Sequence, residues 1–115
     1  MREITELFKA ISEPNRVRIL LMLLHKSLCV CEIKSILNIS TPTVSSHLNI
    51  LRKAGSIEDT KDGKWINYRI KQNITNSIIN DLLDSLVKWY ADTDIMQNDL
   101  AQIEHVDRIQ LTCNN

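Results

Sequence analysis

Two cysteines, Cys29 and Cys31, stand one residue apart in the stretch "SLCVCEIKSIL". The thiolate of cysteine is a nucleophile and a soft ligand, so the pair is suited to binding a thiophilic ion or to redox chemistry. The longest apolar run, Ile19 to Leu24, is far shorter than the roughly 20 residues of a membrane-spanning helix, and the N-terminus lacks the pattern of a signal peptide. We therefore expect a cytoplasmic protein without a membrane partner. Cysteines stay reduced there, and such a pair is more typical of a metal or redox site than of a structural disulfide.

Helix geometry sets a condition on any ion that binds both sulfurs. In a regular helix, residues i and i+2 point about 200° apart, whereas in an extended segment they share one side. Joint binding by Cys29 and Cys31 therefore requires that Cys29 precede the helix or that the first helical turn unwind. This requirement suggests a mechanism in which the ion distorts the start of this helix and so shifts the helix packed against it.

The sequence around the cysteines predicts a mostly helical chain. Among the 115 residues only two are glycine and two are proline, and 43% are hydrophobic, which favours helices around one modest core. The third and fourth predicted helices are joined by a tight turn and form a helix-turn-helix. Apolar residues at helical spacing place the first four helices at 2–11, 15–25, 30–38 and 41–55, the last closed by a left-handed Gly55.

After the fourth helix the apolar period changes to that of strands. Ile57 leads one predicted strand and Trp65 to Ile70 form a second, with Asp62 and Gly63 as the turn, and a fifth helix follows over 76–91. The predicted fold class is mostly α with a small β-hairpin wing (α+β), a dimeric winged helix-turn-helix. We divide it into a DNA-binding and dimerisation domain, 1–91, and a C-terminal extension, 92–115, that is helical near Ile95 to Val106 and then flexible.

The fourth helix carries a polar face suited to DNA. With Val44, Leu48 and Leu51 turned inward, helical geometry turns short hydroxyl, amide and cationic groups outward, and such groups fit base edges in a major groove. Ser and Thr are poor helix formers, so their number on this face favours DNA reading over an ordinary solvated face. Net charge is +0, but Lys and Arg outnumber Asp and Glu up to residue 71. The predicted contacts with double-stranded operator DNA are Thr41, Thr43, Ser45, Ser46, His47, Asn49, Lys53, Lys61, Lys64 and Arg69, with His47 and the three wing cations placed on phosphates.

Four motifs of the chain resemble, in order and spacing, the ArsR-type winged-helix repressors. They are "FKAISEPNRVRILLML", "LCVCEI", "TPTVSSHLNILRKAG" and "DGKWINYRI", and the resemblance covers about residues 3–90. It implies a homodimer joined by helices 1 and 5, DNA reading by helix 4, and release of DNA by an inducer. Ser56 departs from the family pattern of Leu or Val, and we expect a slightly weaker anchor for the first wing strand.

The resemblance also implies an inducer. The "CVC" pair is similar to the soft-metal sites of arsenite-, cadmium- and lead-responsive members, so As(III) or Sb(III) is expected as the inducer, with Cd(II), Pb(II) or Zn(II) as alternatives. Arsenite-sensing relatives have a third cysteine where this chain has Lys34, so Cys113 is the remaining candidate for a third ligand. Zn(II) would need a fourth group, for which His25 and Glu32 are near in sequence.

Two other functions are compatible with the same motifs. A redox or persulfide sensor would pair Cys29 or Cys31 with Cys113, and a winged helix can also contact protein or RNA. An enzyme is not expected, because the sequence has no Gly-rich phosphate loop and no credible nucleophile–base–acid set.

Overall fold

The computed structural model describes residues 2–106. Within them six helices and three short strands surround one apolar core. None of these helices is long and apolar enough to cross a membrane. The elements are α1 (Arg2–Ala10), α2 (Pro14–His25), β1 (Leu28–Cys29), α3 (Val30–Leu37), α4 (Thr41–Lys53), β2 (Ile57–Asp62), β3 (Trp65–Ile70), α5 (Ser77–Tyr90) and α6 (Asp94–Ile103).

Helix α2 is the centre of the core. It starts with Pro14 at its first position, where a missing N–H costs nothing, and the Glu13 side chain caps it by accepting the N–H of Arg16 at 3.0 Å. Six of its residues are buried, and helices α4, α5 and α6 pack against it. The helix predicted over 15–25 is confirmed and begins one residue earlier.

The helix-turn-helix is built by local signals. Helix α3 ends at Leu37 because Asn38 adopts the left-handed conformation, with φ 57°. Two residues later the Ser40 hydroxyl caps α4 by accepting the N–H of Thr43 at 3.4 Å. Val44, Leu48 and Leu51 are fully buried, as the predicted apolar stripe requires.

The wing differs from the predicted two-stranded hairpin. It is a three-stranded antiparallel sheet in the order β1-β3-β2, and the added strand places Cys29 opposite Asn67. Asp62 pairs with Trp65, so the turn is Gly63-Lys64, one residue later than predicted. Gly63 has φ 61°, and positive φ at the first central position alone is typical of a type II′ turn.

The buried Ser56 anchors the first wing strand through its hydroxyl. Its side chain donates to the carbonyl of Leu51 in the last turn of α4 at 3.0 Å, and its carbonyl accepts the N–H of Lys71 at 3.0 Å. The expected weakening is therefore offset by one hydrogen bond, from the Ser56 hydroxyl, that a Leu or Val side chain could not supply.

Helix α6 packs on α2 and α3. Its buried Asp99 forms a bidentate pair with Arg18, both N···O distances being 2.9 Å. These hydrogen bonds raise the pKa of Arg18 above its ordinary value. Met96 and Ile103 add apolar contact, so this part of the predicted extension adds to the core. The division at residue 91 stays a prediction.

Candidate metal and nucleic-acid sites

Cys29 and Cys31 lie at the junction of β1 and α3. Cys29 is the last residue of β1 and the cap of α3, with extended backbone angles φ −90° and ψ 169°. Its Sγ atom lies 3.6 Å from Sγ of Cys31. Two thiolates at about 2.3 Å from a tetrahedral ion are about 3.8 Å apart, which is close to the observed separation. Of the two geometric conditions, the structure meets the first, and no unwinding is needed.

Burial controls the chemistry of Cys29. Its side chain is buried, and this desolvation raises the pKa of the thiol above its ordinary value, against the opposing effect of backbone hydrogen bonds from Glu32 and Cys31. The nearby Glu32 carboxylate, which accepts the Cys29 N–H at 2.9 Å, also raises that pKa. An ion that binds Cys29 must therefore displace its proton, which makes binding pH-dependent.

The described part of the chain shows no preformed set of three or more ligands beside the cysteine pair. Between residues 2 and 106 no group of three or more His, Cys, Asp or Glu side chains could hold a metal ion. Glu32 caps α3, and Nε2 of His25 lies 3.2 Å from Oε1 of Glu104. The suggestion that either residue completes a zinc site is therefore not supported. Cys113, the predicted third ligand, lies outside the described residues.

The polar face of α4 is largely exposed, as predicted. Thr41, Ser45, Ser46 and Lys53 are exposed to solvent. Thr43 is also exposed, and its hydroxyl lies 2.8 Å from that of Ser40. This face presents hydroxyls and a cation in a shape that fits a major groove.

Arg52 is a cation that is absent from the predicted DNA contacts. It is exposed on α4 and donates to the side-chain oxygen of the half-buried Asn49 at 2.8 Å. The signal was available, because Arg52 follows Asn49 by three residues and so lies beside it on the helix.

His47 lies differently from the prediction. Its side chain is only 12% exposed, with Nε2 at 3.7 Å from a Glu13 oxygen and Nδ1 at 3.2 Å from Nη1 of Arg16. The ring faces the corner between α1 and α2. This placement does not favour the predicted phosphate contact.

The wing cations fall into two groups. Lys61 and Lys64 are exposed, and Nζ of Lys64 lies 4.7 Å from the ring centre of Trp65. Arg69 instead pairs with Glu58 across the β2–β3 ladder at 2.7 Å and lowers the pKa of that carboxyl. Lys61 and Lys64 are thus the wing cations best placed for a polyanion, since the charge of Arg69 is balanced within the sheet.

Comparison with known proteins decides the family. The profile described as "Bacterial regulatory protein, arsR family" matches residues 13–59. An HTH-type transcriptional regulator of Methanocaldococcus jannaschii is 44% identical over 82 residues, which are 70% of this chain and 91% of that protein. The chain belongs to the ArsR family. ArsR-family proteins are DNA-binding transcriptional regulators rather than enzymes.

Two other ArsR-family relatives carry names of metal resistance. The arsenic resistance transcriptional regulator ArsR1 of Pseudomonas putida is 32% identical over 98 residues, 79% of this chain and 77% of that protein. The cadmium resistance regulatory protein CadC of Listeria innocua is 46% identical over 65 residues, 56% of this chain and 55% of that protein. The chain thus spans about half the length of the cadmium regulator.

Solved structures of similar shape confirm the winged helix-turn-helix fold. Reduced HlyU from Vibrio cholerae superimposes with a TM-score of 0.68 at 27% identity, covering 79% of this chain and 92% of that one. A homodimeric winged helix-turn-helix DNA-binding domain of Mycobacterium bovis gives a TM-score of 0.64 at 25% identity, covering 79% of this chain and 80% of that one.

Proposed function

We propose that this ArsR-family protein is a homodimeric repressor that releases double-stranded operator DNA when a thiophilic ion, As(III) or Sb(III) in the first place, binds Cys29 and Cys31. The observation that carries the proposal is the 3.6 Å between the two sulfurs, with Cys29 in an extended backbone ahead of α3. Soft ions prefer thiolate ligands. Since its proposed target is operator DNA, we propose that the repressor works in the cytoplasm.

The third ligand is proposed to be Cys113. Pyramidal As(III) is suited to three thiolates, and two thiolates with solvent would hold it less tightly. The likeness to an arsenic resistance regulator supports As(III). Cys113 is the one cysteine of the chain besides the pair, so it is the thiol to test.

The ion site is connected to the DNA-binding elements by two routes. Cys29 belongs to β1, which is hydrogen-bonded to wing strand β3. Cys31 lies in the first turn of α3, which packs against α4. An ion that binds both sulfurs and displaces the Cys29 proton would therefore act on both the wing and the reading helix. This is the proposed means of release.

We propose that α4 enters the major groove and the wing meets the adjacent backbone. Exposed Ser45, Ser46 and Lys53 support the reading role of α4, with Thr41, Thr43 and Asn49 beside them, and Lys61 and Lys64 support the phosphate role of the wing. Arg69 would first have to leave Glu58. Arg52 joins the proposed contacts.

The proposed dimer uses α1 and α5. Phe8 of α1 is 54% exposed, and Ile78 and Trp89 of α5 are 55% and 64% exposed. Large exposed apolar side chains on these two helices support an interface there. The homodimeric relative of known structure supports a homodimer.

Two alternative inducers have support of their own. The likeness to a cadmium regulator favours Cd(II), with Pb(II) and Zn(II) as related soft or borderline ions. The likeness to a regulator solved in its reduced form favours thiol oxidation, with Cys29 or Cys31 pairing with Cys113. Both alternatives keep the fold and the DNA-binding surface.

The test is release from DNA. The wild-type chain would be bound to a fluorescent duplex that it selects in vitro, and arsenite, Cd(II) or hydrogen peroxide added in turn. We expect arsenite to release the wild type, and Cys29→Ser and Cys31→Ser to bind DNA normally but respond at no accessible arsenite concentration. Cys113→Ser should respond only at higher arsenite.

The result separates the candidates. Release by Cd(II) or peroxide but not by arsenite would replace As(III) with that agent. Full arsenite response in Cys29→Ser would refute the site itself. Absence of any selected duplex would refute the DNA-binding function.

A further inference from the structure

His47 links the reading helix to the corner between α1 and α2. It lies on α4 between the buried stripe and the exposed face, and its side chain is 12% exposed. One ring nitrogen, Nδ1, is 3.2 Å from Nη1 of Arg16, and the other, Nε2, is 3.7 Å from Oε2 of Glu13. Both partners stand in or beside the first turn of α2.

The partners fix which nitrogen carries the proton. A guanidinium can only donate hydrogen bonds, so Nδ1 of His47 must accept from Arg16. In the neutral ring the proton then lies on Nε2 and faces the carboxylate of Glu13. His47 thus accepts a hydrogen bond from Arg16 and points its Nε2 proton toward Glu13. These two directional contacts restrict the orientation of the ring more than apolar packing alone would.

The corner itself is held in place. The Glu13 carboxylate also caps α2 through the N–H of Arg16, and Nε of Arg16 donates to the carbonyl of Ala10 in the last turn of α1. Three helices, α1, α2 and α4, therefore meet in one hydrogen-bonded cluster of Ala10, Glu13, Arg16 and His47. The exposed face of α4 keeps its direction relative to α1 through this cluster.

We propose that His47 is a positioning residue for DNA reading, which sets the angle of α4 relative to the α1–α2 corner and makes no contact with phosphate. The proposal rests on the proposed DNA-binding function. Since α1 belongs to the proposed dimer face, the same cluster sets the spacing of the two reading helices. Specific binding depends on that spacing, because two half-sites must meet successive major grooves.

The salt dependence of binding tests the proposal. Affinity for the duplex selected by the wild type would be measured over a range of salt concentrations for His47→Ala and for Lys53→Ala, a matched variant on the exposed face of α4. A lost phosphate contact lowers the slope of log K against log salt by about 0.9. We expect that loss for Lys53→Ala only, while His47→Ala weakens binding about tenfold with an unchanged slope.

A second measurement separates positioning from loss of folding. The ratio of affinities for the selected and a scrambled duplex is expected to fall in His47→Ala, whereas a smaller folded fraction would weaken both equally. His47→Gln carries an amide that can accept from Arg16 and donate to Glu13, so it should restore much of the ratio.

The outcomes separate the two proposals. A slope reduced by about 0.9 in His47→Ala, or a ratio equal to that of the wild type, would overturn the positioning role while leaving DNA binding intact. The same holds if His47→Gln behaves like His47→Ala. A wild-type chain that prefers no duplex would instead overturn the DNA-binding function, and the positioning role with it.

Discussion

Replacement of Asp99 by alanine tests what holds α6 against the winged helix. Both carboxylate oxygens of Asp99 are 2.9 Å from guanidinium nitrogens of Arg18, and the Asp99 side chain is only 2% exposed while that of Arg18 is 26% exposed. Alanine leaves the guanidinium without its carboxylate at a mostly buried position. The expected result is a less stable chain in which α6 detaches more easily from α2.

The magnitude follows from the burial of the pair. Removal of one partner from a fully buried ion pair costs about 3–5 kcal/mol, because the other charge is left uncompensated. Arg18 keeps partial access to water, so we expect about 2–3 kcal/mol. For a domain of this size that corresponds to a fall in Tm of about 10 °C.

The assay is urea unfolding followed by circular dichroism, at fixed protein concentration because a dimer unfolds in a concentration-dependent way. Asp81→Ala on the exposed side of α5 is the control and should change stability little. The double variant Arg18→Met/Asp99→Val should recover much of the loss, since an apolar pair of similar volume needs no charge partner. Equal stability of Asp99→Ala and Asp81→Ala, or a double variant as unstable as Asp99→Ala, would refute this reasoning.

Three further predictions concern the sites. Because burial raises the pKa of Cys29, its contribution to stability is fully present below the unfolded pKa of about 8.5 and is lost as pH rises through the folded pKa. Alkylation of native Cys29 by iodoacetamide, followed by mass spectrometry, should therefore be slow at pH 7. An alkylation rate equal to that of a free thiol would contradict this prediction. Lys61→Ala and Lys64→Ala should each lower the salt slope of DNA binding by about 0.9, measured by anisotropy, whereas the exposed Lys88→Ala on α5 should not. Trp89→Glu should convert the proposed dimer to monomers in analytical ultracentrifugation, and a dimer that persists would place the interface elsewhere.

Local signals accounted for most of the fold. The predicted ranges of the first five helices agree with α1 to α5 to within two residues at each end, because apolar spacing, Pro14 and the caps at Asn38 and Ser40 act within one or two turns. The wing hairpin follows from its strand period in the same way, and only its turn is displaced by one residue.

Long-range contacts could not be predicted. Strand β1 is two residues long and pairs with residues far along the chain, so no local pattern indicates it. Arg18 and Asp99 are 81 residues apart in sequence, which hides their pairing. Helical spacing put His47 beside the exposed face of α4, but nothing local indicated the corner of α1 and α2 that packs against it.

The sharing of one β-ladder by Cys29 and the wing has a consequence for how a cell would respond. Coupling between two binding sites is reciprocal, so an ion that weakens operator affinity by some factor must itself bind the operator-bound protein more weakly by the same factor. In the proposed repressor, surplus copies that are free of DNA would then take up the ion before the copies on promoters do. The ion concentration at which genes are switched on would rise with the amount of repressor in the cell, even though the ion site itself is unchanged.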